Sequence, residues 1–189
     1  MIQHTTLKEF AENIDKIFAS NNSGYIVVSE STEVEIGNQN DCDFEYCKEH
    51  NIPVYDIKRD GGTIVYTKGA VSIAMIFDVK YGWISENFNS HLVNYLKDYI
   101  SSEHTIEHMG NDILIDGYKV ASGTELRIGN NLEKIYAGFQ LSINQDLEAI
   151  KHVCKKEMVK VPKGLSDYGI TTEEIIIFCE DFWDNFIKN

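Results

Sequence analysis

The sequence is short of positive charge. It sets 17 Lys and Arg against 30 Asp and Glu, for a formal net charge of -13. Proteins that hold phosphate backbones present a basic face, so no nucleic-acid partner is expected, and an anionic membrane surface is disfavoured for the same reason. Long apolar runs are also missing. Nothing approaches the roughly 18–20 residues of a membrane span, and the opening "MIQHTTLKEFAENIDKIF" is mixed and amphipathic, unlike a signal segment. The expected location is cytoplasmic. Four cysteines, Cys42, Cys47, Cys154 and Cys179, form no CxxC pair and no zinc-like Cys/His spacing. Reduced, mostly buried thiols are therefore expected. The chain has no internal repeat, low-complexity tract or linker.

What is present suits one domain over residues 1–189, with 43% apolar residues to build a core. Thr6 and Glu9 make a capping box ahead of Leu7, Phe10, Ile14 and Phe18 at helical spacing, which predicts a helix over 6–19. "YIVVSE", "STEVEI" and "IPVYDI" read as strands, with a short helix at "DFEYCKEH". "TIVYT" and "AVSIAMIFDV" are nearly continuous apolar runs, as buried strands are. A second long helix is predicted over 86–102. Three further strands follow, joined by hairpin signals at Asp116-Gly117 and Gly129–Asn131. A helix from Asp146 to about Cys154 and a last one capped by Thr171 and Glu174 complete the pattern. Strands and helices do not alternate regularly, which excludes a doubly wound parallel sheet. The expected fold is α+β, with a mixed, mostly antiparallel sheet flanked by helices.

Three constellations could carry chemistry. The first is "DIKRDGGTIVYTKGA", where Arg59 precedes Gly61-Gly62. Glycines let a ligand approach the backbone, a turn of amides can face an anion, and a guanidinium suits phosphate or carboxylate. The plain alternative is a hairpin turn with solvated basic residues. The second is "GNDILIDGYKVASGTELRI", in which Lys119 follows a hairpin turn and small residues 121–123 leave room beside the strand. A lysine there could stabilise a developing negative oxygen, or simply face solvent. The third is "YAGFQLSINQDL", a strand with an Ala-Gly step, equally a core strand and helix cap. The basic stretch Lys151–Gly164 reads either as a solvated helix end or as a patch for an acidic partner or anionic ligand.

Taken in order, these segments resemble the catalytic domain shared by lipoate–protein ligases, biotin protein ligases and octanoyltransferases. "VEIGNQND" is similar to the ligases' Ile-Gly-x-x-Gln-Asn segment, and "IKRDGGTIVYTKGA" to their Arg-Arg-x-x-Gly-Gly-Gly-x-Val-x-His motif. "GNDILIDGYKVASGTELR", "AGFQLSINQDL" and "VPKGLSDYGITTEE" follow the later motifs, so the likeness runs over about residues 25–175. It implies a class II synthetase-like, biotin-ligase-like fold. It implies a lipoyl or octanoyl group carried through an acyl-adenylate to a lysine of a lipoyl-domain or acyl-carrier protein. ATP with magnesium and a small acyl acid, lipoate or octanoate, would be the reactants. Lys119 would contact the acyl carbonyl and phosphate. Arg59, Gly61, Gly62, Thr63, Asn111, Asp112, Ser122 and Gly123 would line the acyl and nucleotide site.

The sequence departs from the pattern at Thr63 (third glycine), Thr67 (histidine) and Ala70 (after Gly69). The transferases' Pro-Cys-Gly nucleophile segment is Pro162-Lys163-Gly164 here, and a protonated lysine does not replace a thiolate. The ligases' accessory C-terminal domain is not expected in these residues. Ligase-like chemistry therefore fits better than cysteine transfer. Two alternatives stay open: octanoyl transfer through Cys154, and an inactive domain that binds an acyl group, a nucleotide or a carrier protein. Cys154 has a lysine-rich setting that would lower its pKa if exposed, whereas Cys42 and Cys47 are placed on a short acidic helix where a thiolate is disfavoured.

Overall fold

The computed structural model describes residues 2–39, 41–59 and 61–188. Asn40 and Asp60, in two of the segments quoted above, lie outside the described residues. The elements run β1 (Ile2–Thr5), α1 (Leu7–Glu12), α2 (Ile14–Ala19), β2 (Ser23–Val28), β3 (Glu33–Ile36), α3 (Phe44–Glu49), β4 (Val54–Asp56), β5 (Thr63–Tyr66), β6 (Val71–Asp78), α4 (Ser85–Tyr99), β7 (Ile106–Met109), β8 (Asp112–Ile115), β9 (Tyr118–Ile128), β10 (Lys134–Leu141), α5 (Leu147–Val153) and α6 (Thr172–Lys188). Seven strands form one sheet in the order β1-β2-β6-β10-β9-β8-β7, and β4-β3-β5 form a second. Among the strand pairs of the described residues, only β1/β2 and β3/β4 are parallel. The α+β reading with a mixed, mostly antiparallel sheet holds.

Alternation along the central strands sorts side chains to two faces. Ile73, Met75, Phe77, Ala137 and Phe139 meet Phe88, Leu92 and Leu96 of α4 and Phe178, Phe182 and Trp183 of α6. On the other face, Tyr25, Val27, Ala74, Ile76 and Tyr136 meet Leu7 and Phe10 of α1, Ile14 and Ile17 of α2, and Ile57 and Tyr66. The small sheet is thus held over this second face. Its own outer side, Val34 and Val65, packs with Cys47 of α3 and with Ile150 and Val153 of α5.

Three expectations need correction. The helix over 6–19 is two short helices, because Asn13 leaves helical geometry (φ −107, ψ 12) and its side-chain amide donates to the Glu9 carbonyl at 2.9 Å. Asparagine competes for backbone groups in this way. β1 and β7 were not read as strands. Both are four-residue edge strands with no more than half-buried residues, so they carry no apolar run to detect. Cys42 precedes α3 rather than lying on it, and pairs as an isolated bridge with Cys154.

Candidate functional site

Between the second face of the large sheet and the small sheet lies a cavity of about 410 Å³. Its floor crosses four strands. Ser122 of β9 pairs with Gln140 of β10, Gln140 with Ser72 of β6, and Ser72 with Val27 of β2, so these four side chains form one row. The neighbouring row, Thr124, Gly138 and Ala74, is small and leaves the space open. Leu7 and Phe10 close the far end with apolar surface.

The glycine turn forms the wall opposite. Gly61 adopts φ +100, a left-handed conformation that favours glycine, and a Cβ there would stand 2.8 Å from Arg59 Nη1. Arg59 turns inward beneath it. Its side chain is 4% exposed, its Nε donates to Glu35 Oε1, and its Nη2 donates to the Gly62 carbonyl at 2.9 Å. Burial pulls the guanidinium pKa down, but the charge and hydrogen bond of Glu35 outweigh this and leave it raised. The sequence reading gave Arg59 a charge for a ligand. In the structure, that charge is matched by Glu35, which alternation on β3 aims into the cavity. Tyr66 Oη also donates to Glu35, at 2.8 Å, and lies 2.8 Å from Ser72 Oγ. Burial first, then Glu35, pushes the Tyr66 and Tyr136 hydroxyls well above the usual tyrosine range, so both stay protonated.

Lys119 enters from the other end. Its ammonium is half-buried and lies 3.8 Å from Asp112 Oδ1, while Lys160 Nζ holds Asp112 Oδ2 at 2.6 Å. The backbone around it is fixed by the segment after α5. Lys119 N donates to the Val161 carbonyl at 2.9 Å, and Lys163 N donates to the Lys119 carbonyl at 3.0 Å. Two ammoniums and one shared carboxylate leave one net positive charge at this end.

Of the residues singled out from sequence, Arg59, Gly61, Gly62, Thr63, Asn111, Lys119, Ser122 and Gly123 line the one cavity. Asp112 does not line it. Asp112 sits behind Lys119, held by two lysines. Thr63 Oγ1 accepts from Asp41 N at 3.1 Å, and Thr67 is buried and donates to the Asn144 carbonyl. The lysine-rich stretch is dispersed. Lys151 pairs with Glu148, Lys155 with Asp43, and Lys163 lies 4.5 Å from the Tyr168 ring centroid, leaving Lys160 to reach the site edge. Glu35, Tyr66, Tyr136 and Gln140 were missed. Their positions on strands in register with the motifs could have flagged them, had the second sheet been foreseen.

The cysteines lie apart from the cavity lining. Cys154 caps the end of α5, and burial, with Asp41 next, pushes its thiol up to about 11 despite nearby Lys119. Cys42 is pushed up to about 12, and Cys47 and Cys179 are also raised, in each case mainly by burial. Burial decides, where the sequence reading looked to neighbouring charge. Among the described residues, no group of three His, Cys, Asp or Glu side chains could hold a metal ion, and no helix is long and apolar enough to cross a membrane.

Residues 10–181 match the family model described as lipoyl protein ligase A/B catalytic domain. A curated lipoate–protein ligase from Streptococcus pyogenes serotype M5 (strain Manfredo) is 31% identical over 131 residues, covering 64% of this chain and 35% of that protein. The match thus spans about a third of the length of that relative. Among solved structures, lipoate–protein ligase A bound with ATP has a TM-score of 0.77 at 12% identity, covering 99% of this chain and 85% of that one. A bipartite lipoate–protein ligase from Thermoplasma acidophilum, studied with its E2 lipoyl domain, has a TM-score of 0.76 at 13% identity, covering 99% and 83%. At such identities these two show the fold.

Proposed function

Because the chain belongs to the lipoyl protein ligase A/B catalytic-domain family, we propose that residues 1–189 form one catalytic-type domain that activates an acyl acid with ATP and passes it to a lysine of a lipoyl-domain protein. The observation that carries this reading is that the glycine turn and Lys119, 57 positions beyond Gly62, face each other across one cavity. The acyl chain lies over the sheet floor toward Leu7 and Phe10. Its carboxylate, and the phosphate that joins it, lie at the Lys119 end. As the carboxylate oxygen attacks the α-phosphorus of ATP and the bond to the leaving pyrophosphate breaks, negative charge builds on the phosphoryl oxygens, and a fixed ammonium there is worth a few kcal/mol. Lys160 fixes Asp112 beside the Lys119 ammonium, and the backbone of Lys119 is fixed by Val161 and Lys163. The same ammonium then meets the oxyanion formed when the acceptor lysine, as its neutral amine, attacks the acyl carbonyl, before AMP leaves and the amide nitrogen gives up its proton.

The relatives named for lipoate, ATP and a lipoyl domain support these reactants. Magnesium would arrive with the nucleotide, since the described residues offer no ready metal cluster. Transfer through a cysteine is disfavoured by the cavity lining, which contains no thiol among the described residues, and by the high pKa of Cys154. The test is lipoate-dependent exchange of labelled pyrophosphate into ATP, which requires an acyl-adenylate and no acceptor. Exchange that depends on both lipoate and enzyme is expected. Its absence at saturating ATP and lipoate would remove the activation step.

A further inference from the structure

At the Lys119 end the cavity is rimmed by the segment after α5, whose outer surface plays no part in the site described above. Residues 151–164 carry five lysines and one glutamate, whereas the rest of the chain sets 12 Lys and Arg against 29 Asp and Glu. Lys151 and Lys155 are matched by Glu148 and Asp43. Lys156 is exposed and makes no ion pair among the described residues. Lys160 shares Asp112 with Lys119, and Lys163 lies 5.3 Å from the Tyr118 ring centroid and 4.5 Å from that of Tyr168. Between these lysines in sequence stand two outward valines, Val159 at 90% exposure and Val161 at 44%. Tyr118, beside the bridge between Lys119 and Pro162, is also exposed.

Single exposed apolar residues are ordinary. Two valines and a tyrosine set among lysines make a different surface, with an apolar centre and a charged rim, as protein interfaces have. Its position commits the occupant. Lys119 N donates to the Val161 carbonyl at 2.9 Å, so the valines stand on backbone fixed to the cavity mouth. An acceptor lysine enters that mouth on a four-carbon stem, so the surface that carries it comes to rest against the rim. There it meets an excess of ammoniums, and over the rest of the chain an excess of carboxylates. A partner with carboxylates around its acceptor lysine is drawn to the rim and repelled elsewhere, which fixes its orientation.

We infer that Lys156, Val159, Val161 and Lys163, with Tyr118, form the docking surface for a protein domain that presents its acceptor lysine amid carboxylates, an assignment that rests on the acceptor amine being delivered to the Lys119 end. Val159 supplies the apolar contact, and the lysines set the register.

Titration calorimetry of the intact chain, without ATP or lipoate, tests this. The probes are an apo lipoyl domain with Asp and Glu beside its acceptor lysine, and the same domain with those acids changed to Asn and Gln. The acidic domain is expected to bind about tenfold tighter or more, and to lose that margin as salt is raised. The double variant Lys156→Glu/Val159→Asp, altered only at exposed positions, is expected to weaken binding of the acidic domain by a similar factor. Circular dichroism checks its folding, and the wild-type ratio decides if the variant does not fold. Equal binding of the two domains, no binding of either, or unchanged binding in the folded double variant would overturn the inference. So would an ATP affinity that falls in the variant as far as the domain's does, which would mark the rim as an anion site. A dimer of the chain that the variant abolishes, in place of domain binding, would overturn it too. Docking needs no chemistry, so a domain that binds here but gains no lipoyl mass would remove ligation and leave the surface standing.

Discussion

Lys119 and Ser122 share the cavity face of β9 although they are three residues apart, a spacing that puts side chains on opposite faces of a regular strand. A bulge reconciles them. Ile113 of β8 pairs with Ala121 and Leu114 with Lys119, which leaves Val120 as the extra residue. Val120 and Ala121 then both enter the apolar core, and Lys119 is turned back to the cavity. Bulges recur next to active sites because they re-aim side chains in this way.

Lys119→Ala is expected to lower lipoate-dependent pyrophosphate exchange by about 10²-fold or more, the usual effect of removing a fixed oxyanion partner. Lys119→Arg should recover part of the loss, since charge is kept and reach is altered. The melting temperature should move little, because the ammonium is half-exposed and its ion pair with Asp112 is loose at 3.8 Å. Exchange at the wild-type rate in Lys119→Ala would remove the assigned role.

The Arg59–Glu35 pair is buried, so breaking it on one side should hurt. Arg59→Leu leaves a buried carboxylate, and Glu35→Leu a buried guanidinium, each expected to cost about 3–5 kcal/mol in urea unfolding. The double variant Glu35→Leu/Arg59→Met should regain much of that stability, because no charge is left unpaired. Equal losses in single and double variants would show that the turn depends on the guanidinium's hydrogen bond to Gly62 instead.

The motifs were legible in the sequence because they are local. A glycine pair after a basic residue, a lysine after an Asp-Gly turn and a Thr/Glu capping box are each decided within a few residues. The reciprocal hydrogen bonds of Thr6 with Glu9 and of Thr171 with Glu174 appear where the spacing placed them. What was not legible depends on pairing between distant segments. Glu35 reads as one polar residue in an alternating strand, and only the stacking of the small sheet on the large one buries it against Arg59. The bulge at Val120 leaves no mark in composition. The lysines around Cys154 would lower its pKa only in an exposed setting, and burial dominates the environment that the fold gives it.

Thiol chemistry gives a pH-dependent expectation. The folded Cys154 pKa is raised from 9.0 to about 11, so its contribution to stability is fully present below pH 9 and is lost as pH rises toward 11. Cys42, raised from 9.0 to about 12, acts in the same direction at higher pH. Unfolding by urea should therefore become easier above pH 9, and less steeply so in Cys154→Ser. At pH 8, iodoacetamide should modify Cys154 far more slowly than a free thiol. Cys154→Ser should keep pyrophosphate exchange. A thioester-linked octanoyl mass on Cys154 after mixing with an octanoyl carrier protein would instead install the transferase reading.

The most direct measurement is the mass of an apo lipoyl domain after incubation with this chain, ATP and lipoate. The account predicts one lipoyl addition on the acceptor lysine, dependent on ATP and on Lys119. An acceptor of unchanged mass, from a chain that binds lipoate and ATP, would contradict ligation and leave a binding domain in its place.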